Sequence, residues 1–242
     1  MNISFIIPLL AGLSTIIGYL PTYIPLKYQN TVIGTSLALS SGVMISISFL
    51  SLLKEAFSLL NNSISSILII IIYFLCGGLL LTLIELIFPK KIENQLYKIG
   101  LISFGSLLLH NIPEGITTYL ATKTSVSLGL SLALAITFHN IPEGIMIAIP
   151  IYYASNSHKK AFFYTLFASL SEFFGAVLAS LFIKTINTKL LIFLLSVTAG
   201  IMTYLSVFEL LPKSLSYITI KKTILSFILG VILIIICVFI LK

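Results

Sequence analysis

Residues 109–120 read LHNIPEGITTYL and residues 138–149 read FHNIPEGIMIAI, so the group HNIPEGI occurs twice, 29 residues apart. Each copy offers an imidazole and, four positions on, a carboxylate: His110 with Glu114, and His139 with Glu143. In a helix, residues i and i+4 share a face. Each pair therefore presents a nitrogen and an oxygen donor about one turn apart. Asn111 and Asn140 place an amide oxygen beside each histidine, and a third carboxylate, Glu172, follows in SEFFG. Imidazole with carboxylate suits zinc, iron, manganese or cobalt. Calcium and magnesium prefer oxygen alone. Pro113 and Pro142 remove the N–H groups that the carbonyls of Leu109 and Phe138 would accept, which predicts a kink in each segment. Gly115 and Gly144 leave room for close helix approach.

These groups sit in an apolar chain of 242 residues, 58% hydrophobic and 9% charged, where a soluble domain has about 25% charged residues. Its mean hydropathy is +1.15. Runs of roughly 18 or more apolar residues mark membrane helices, and eight are present, at 3–20, 31–53, 64–88, 99–121, 126–150, 161–183, 189–211 and 222–241. Together they predict one all-α integral membrane domain over residues 1–242, with no soluble module. Barrel strands alternate polar and apolar residues, and ILIIIIYFLCGGLLLTLIELIF does not. The first run has no basic leader or clear cleavage site, so it reads as a retained span.

The midpoints of spans 4, 5 and 6 fall near residues 110, 138 and 172. His110, His139 and Glu172 therefore lie at the bilayer midplane, with Glu114 and Glu143 one turn away. A charge there costs roughly 2.5–3.5 kcal/mol on insertion scales, so five such groups need partners. Two antiparallel helices joined through 122–125 would gather two His and two Glu, with Glu172 arriving from span 6. Ser103, Ser106, His110, Glu114 and Thr117 line one face of span 4 and suggest a path for an ion.

All basic residues are lysines, all acids are glutamates, and the net charge is +7. The lysines are scattered over short connections, which argues against nucleic acid. They report orientation instead: nine on one set of connections against five on the other favour both termini outside. Residues 42–58 (GVMISISFLSLLKEAFS) and 200–216 (GIMTYLSVFELLPKSLS) share Gly, Met, Ser, Leu-Leu and Ser at matching places. They close spans 2 and 7, which run in opposite directions. That predicts an inverted repeat of spans 1–3 and 6–8 around spans 4 and 5. Cys76 and Cys237 read as small buried hydrophobes, and Met44 and Met202 as core. Glu209 reads equally as a metal way-station or an interfacial carboxylate, Glu85 as interfacial, Glu55 and Glu93 as loop charges, and His158 as solvated.

The two HNIPEG motifs and SEFFG at 171–175 resemble the Zrt/Irt-like (ZIP) family of divalent metal transporters, with closest likeness to its bacterial ZupT-type branch. GIMTYLSVFELLP is similar to the family's seventh span. The resemblance covers essentially the whole chain. It implies eight spans, both termini outside, and a binuclear metal centre midway through the membrane. One site would use His110, Glu114, His139 and Glu143. The other would use Asn111, Asn140 and Glu172, with Glu114 and Glu143 bridging. It further implies movement of metal toward the cytoplasm across the plasma membrane, and dimers, which many members form. Two departures stand out. The connection 89–98 has no histidine where many members carry a histidine-rich loop, and Ser51 stands in span 2 where span 7 has Glu209.

The function expected is uptake of a divalent transition metal, most simply zinc, with iron, manganese, cobalt and cadmium compatible with the donors. No catalytic residue or catalytic cofactor is expected. An intramembrane metalloprotease needs H-E-x-x-H, whereas Asn follows each histidine here. A proton-coupled carrier of a non-metal substrate is the alternative.

Overall fold

A computed structural model describes residues 2–60, 64–87, 94–182 and 187–240. They form eight helical rods, with no strand among the described residues: α1 (Ile3–Tyr23), α2 (Gln29–Ser58), α3 (Ile64–Ile87), α4 (Gln95–Thr124), α5 (Val126–Ser155), α6 (His158–Phe182), α7 (Thr188–Leu215) and α8 (Ile220–Ile240). Six of them (α1, α2, α5, α6, α7 and α8) contain stretches long and apolar enough to cross a membrane. This is a multi-pass membrane protein. In α3 the apolar helix among the described residues is shorter, Ile67–Leu83. The thirty-residue α4 is long enough but carries the polar stripe of the site. Lys90, Lys91, Glu93, Lys184 and Lys242 lie outside the described residues, as does the side chain of Glu85.

Local chemistry sets the helix ends. The Asn94 side chain accepts from the N–H groups of Leu96 and Tyr97 and starts α4, and Asn187 does the same for α7 through Leu190. Asparagine is among the preferred N-caps because its oxygen satisfies an otherwise orphaned donor. At the end of α5, Asn156 takes the left-handed conformation at φ 49°, which asparagine tolerates better than most residues. Between α4 and α5 there is only Ser125, in an extended conformation, a shorter link than the expected 122–125. Pro113 and Pro142 interrupt neither helix.

Packing divides the rods into two sets. One comprises α1, α4, α5 and α6, and the other α2, α3, α7 and α8; α2 against α5 and α4 against α7 join them. Within each set, glycines bring backbones into contact. A Cβ on Gly42 would run into the carbonyl oxygen of Phe227, and one on Gly230 into that of Leu39, so α2 and α8 touch at bare backbone. The crossing of α3 and α7 repeats the device, with Gly77 against Val197 and Gly200 against Phe74. Gly42 and Gly200 open the two similar stretches noted in the sequence. Those stretches also share a π-helical turn at the same place, Ser48–Leu52 in α2 and Leu205–Leu210 in α7. Met44 and Met202 are fully buried at matching points of the core. Glu209 lies half-buried in the π turn of α7, and Ser51 in that of α2.

Three residues differ from expectation. Cys76 is exposed and Cys237 only half-buried. Between residues 67 and 83 the exposed side chains of α3 are apolar, with Leu75 and Leu79 beside Cys76 among them, and a thiol is at home on such a surface in a membrane protein. His158 is not simply solvated. Its ring stacks between Tyr152, at 4.4 Å, and Tyr23, at 4.5 Å, and its Nδ1 lies 3.3 Å from the Thr22 hydroxyl. Stacked aromatic pairs contribute about 0.5–1.5 kcal/mol each beyond their buried area. His158→Ala, which unpins the end of α1 from α5 and α6, is expected to lower the melting temperature of the purified protein by roughly 2–6 °C. His158→Phe should recover most of that loss in the same thermal scan.

Candidate metal centre

Helix periodicity puts His110 and Glu114 on one face of α4, and His139 and Glu143 on one face of α5. The antiparallel packing of these rods turns both faces inward. His110 is 1% exposed, Glu114 4%, His139 6%, and Glu143 and Glu172 are fully buried. The shortest contacts run between the helices. His110 Nε2 lies 3.0 Å from Glu143 Oε1, and His139 Nε2 lies 3.2 Å from Glu114 Oε1. Within α4, His110 Nε2 is 3.6 Å from the same Glu114 oxygen. Each histidine thus pairs most closely with the glutamate of the other repeat, and Glu114 stands between both imidazoles. One donor atom each from His110, Glu114 and His139 falls within 4.8 Å of the others.

Three of these separations can be set against a dication's needs. Zinc with bonds of about 2.0–2.2 Å in tetrahedral geometry spaces its donors roughly 3.3–3.6 Å apart. The three nitrogen–oxygen separations of 3.0, 3.2 and 3.6 Å are close to that spacing, while the donor atoms of His110, Glu114 and His139 as a group lie within 4.8 Å of one another.

The other three predicted residues sit deeper toward α1 and α6. Asn140 donates through Nδ2 to Glu172 Oε2 at 3.0 Å and to the carbonyl oxygen of Ala11 at 3.0 Å. Asn111 donates to the carbonyl oxygen of Ala168 at 3.2 Å. That carbonyl, not Glu172, is its hydrogen-bond partner. The amide nitrogens of both asparagines are thereby held by backbone, which fixes their oxygens. Oδ1 of Asn111, Oδ1 of Asn140, Oε2 of Glu143 and Oε1 of Glu172 are buried without a hydrogen-bond partner in the protein. Buried polar atoms are nearly always satisfied. Four oxygen acceptors without donors, beside two imidazoles, form a donor set suited to a cation.

Glycine sets the crossing of the site helices. A Cβ on Gly115 would collide with the carbonyl oxygen of Glu172, and one on Gly144 with that of Thr15. The last glycine of each HNIPEG copy therefore seats its helix on a second rod, α6 for one copy and α1 for the other. On the polar stripe of α4, Ser103 and Ser106 are buried with unpartnered hydroxyls. Thr117 instead donates to its own helix at the carbonyl of Glu114.

Sequence reasoning missed the part played by α1. Ala11 receives the Asn140 amide, and a Cβ on Gly12 would lie 3.2 Å from Glu172 Oε2. Neither residue is polar in its side chain, so no charge pattern marks them. A signal was nonetheless present. Residues 11–18 read AGLSTIIG and residues 168–175 read ASLSEFFG, sharing Ala, Leu, Ser and Gly at matching places.

The ZIP zinc transporter family matches over residues 90–238. The zinc transporter ZupT of Streptococcus mutans is 31% identical, with 88% of each chain covered. That of Oceanobacillus iheyensis is 32% identical over 90% of each, and that of Akkermansia muciniphila 32% over 87% of each. With two HNIPEG copies facing each other inside a helical membrane bundle and likeness along most of its length, the chain belongs to the ZIP family of zinc transporters.

Proposed function

We propose that this protein carries divalent transition-metal ions, zinc foremost, across the plasma membrane into the cytoplasm. The observation that carries the proposal is the buried cross-helix pairing of His110 with Glu143 at 3.0 Å and of His139 with Glu114 at 3.2 Å. His110, Glu114, His139 and Glu143 hold one ion. Asn111, Asn140 and Glu172 hold a second, with Glu114 and Glu143 between the two. The ion exchanges its hydration shell for these oxygens and nitrogens. Each imidazole must give up its Nε2 proton to bind metal, so protons compete with the ion. Iron(II), manganese, cobalt and cadmium fit the same donors.

The chain crosses the membrane eight times with both termini outside, α1–α3 and α6–α8 forming the inverted repeat. Shared glycine contacts tie α4 and α5 to α6 and α1. Access alternates as this four-rod set shifts against α2, α3, α7 and α8, and the protein works as a homodimer.

Uptake of a panel of metals into proteoliposomes, with and without a pH gradient, tests the proposal. Zinc should enter saturably and be competed by iron(II), cobalt, manganese or cadmium, but not by calcium or magnesium. Absence of metal uptake from protein that remains monodisperse overturns it. Proton flux without metal flux would point to a carrier of another substrate.

A further inference from the structure

The two HNIPEG copies are held by matched contacts from two different rods. Asn111 donates to the carbonyl oxygen of Ala168 in α6, and Asn140 to that of Ala11 in α1. Gly115 abuts the carbonyl oxygen of Glu172, and Gly144 that of Thr15. Gly175 of α6 abuts the carbonyl oxygen of Ile112, and Gly18 of α1 that of Ile141. Ser171 donates to the carbonyl of Ala168, and Ser14 to that of Ala11. These contacts of α6 with the first copy thus have their mates in contacts of α1 with the second, and the serine bonds within the two rods match as well. The register is the one that aligns AGLSTIIG with ASLSEFFG.

In that register the mate of Glu172 is Thr15. Its residue is fully buried, and its hydroxyl has no hydrogen-bond partner. Thr118 and Thr203 are the other threonines whose buried hydroxyls lack a partner among the described residues. A threonine within a helix commonly donates to the carbonyl one turn back, as Thr82, Thr122 and Thr165 do. Thr15 does not, and α1 tightens from α to 3₁₀ geometry at Ser14, beside it. A 3₁₀ stretch within a rod often marks a functional hinge or a sequence under strain. In that register the Glu172–Asn140 pair corresponds to Thr15 and Asn111, whose Oδ1 is likewise unpartnered.

We propose that Thr15 is a further metal-facing residue of the centre, the neutral counterpart of Glu172, so that the site has a strongly and a weakly binding side. This rests on the metal-transport function proposed above. A carboxylate on one side captures the dication. A hydroxyl on the other supplies an oxygen without a charge, and the ion can leave past it.

Zinc uptake by the full chain in proteoliposomes, compared for wild type, Thr15→Val, Thr15→Ser and Thr15→Glu, tests the assignment. Valine keeps the shape and removes the hydroxyl, and should raise KM for zinc about 3–10-fold, the worth of one lost polar contact. Serine should restore KM. Glutamate makes the two sides alike, and should hold zinc more tightly in equilibrium dialysis while slowing uptake. Wild-type KM in the valine variant overturns the assignment. So does an equal loss in the valine and serine variants, which would mean that the threonine methyl only packs. If the glutamate variant does not fold, the valine–serine pair still decides. Wild-type protein that takes up no zinc would instead refute the transport function, a distinct result read in the same experiment.

Discussion

Glu114→Gln is expected to abolish zinc uptake, with a fall of roughly 100-fold or more and little change in folded yield. Glu114 is the carboxylate that reaches both imidazoles, His139 at 3.2 Å and His110 at 3.6 Å. The amide keeps its shape but loses its charge and one of its acceptor oxygens. Loss of a group that only orients a metal ligand costs about 10–100-fold in metal affinity or activity, so loss of the carboxylate that faces both imidazoles is expected at or beyond the upper figure. Glu143→Gln should behave similarly, since Glu143 is the close partner of His110. Initial rates of zinc entry into proteoliposomes, normalised to reconstituted protein, provide the measurement. Glu55→Gln, at an exposed position, should transport as wild type does. Wild-type rates in the Glu114 and Glu143 variants would remove these residues from the site.

The second large effect concerns the frame. Gly115→Val and Gly144→Val should each prevent the central rods from packing, with loss of monodisperse protein on size exclusion. A Cβ at either position would strike a backbone carbonyl oxygen of the facing rod. Overpacking with flexible side chains as neighbours costs about 1–3 kcal/mol. A backbone carbonyl cannot swing aside, so here the rods themselves must separate, and the buried His and Glu pairs with them. Gly105→Ala on the same α4 is the contrast. Nothing lies within 4 Å of an added Cβ there, and the higher helix propensity of alanine should add about 1 kcal/mol. If the valine variants melt like wild type while retaining uptake, the glycine crossings do not set the geometry of the centre.

By itself, the sequence determined the elements and the chemistry. Eight apolar runs gave eight rods with ends within a few residues of those expected, because apolar length and capping residues such as Asn94 and Asn187 are local properties. The donor types and their placement on one face of each helix were equally legible, since the 3.6-residue period is fixed by the backbone. Tertiary structure alone decided which histidine lies closest to which glutamate. The i, i+4 spacing suggests His110 with Glu114, yet the nearest carboxylate to His110 belongs to the other helix, because the glycine contacts with α1 and α6 bring α4 and α5 face to face. It also decided that Asn140 rather than Asn111 hydrogen-bonds Glu172, that Cys76 faces outward, and that His158 sits between two tyrosines. Above all it brought α1 to the centre. Ala11, Gly12 and Thr15 carry no charge, and their part follows only from the backbone they place against the second HNIPEG copy, more than a hundred residues along the chain.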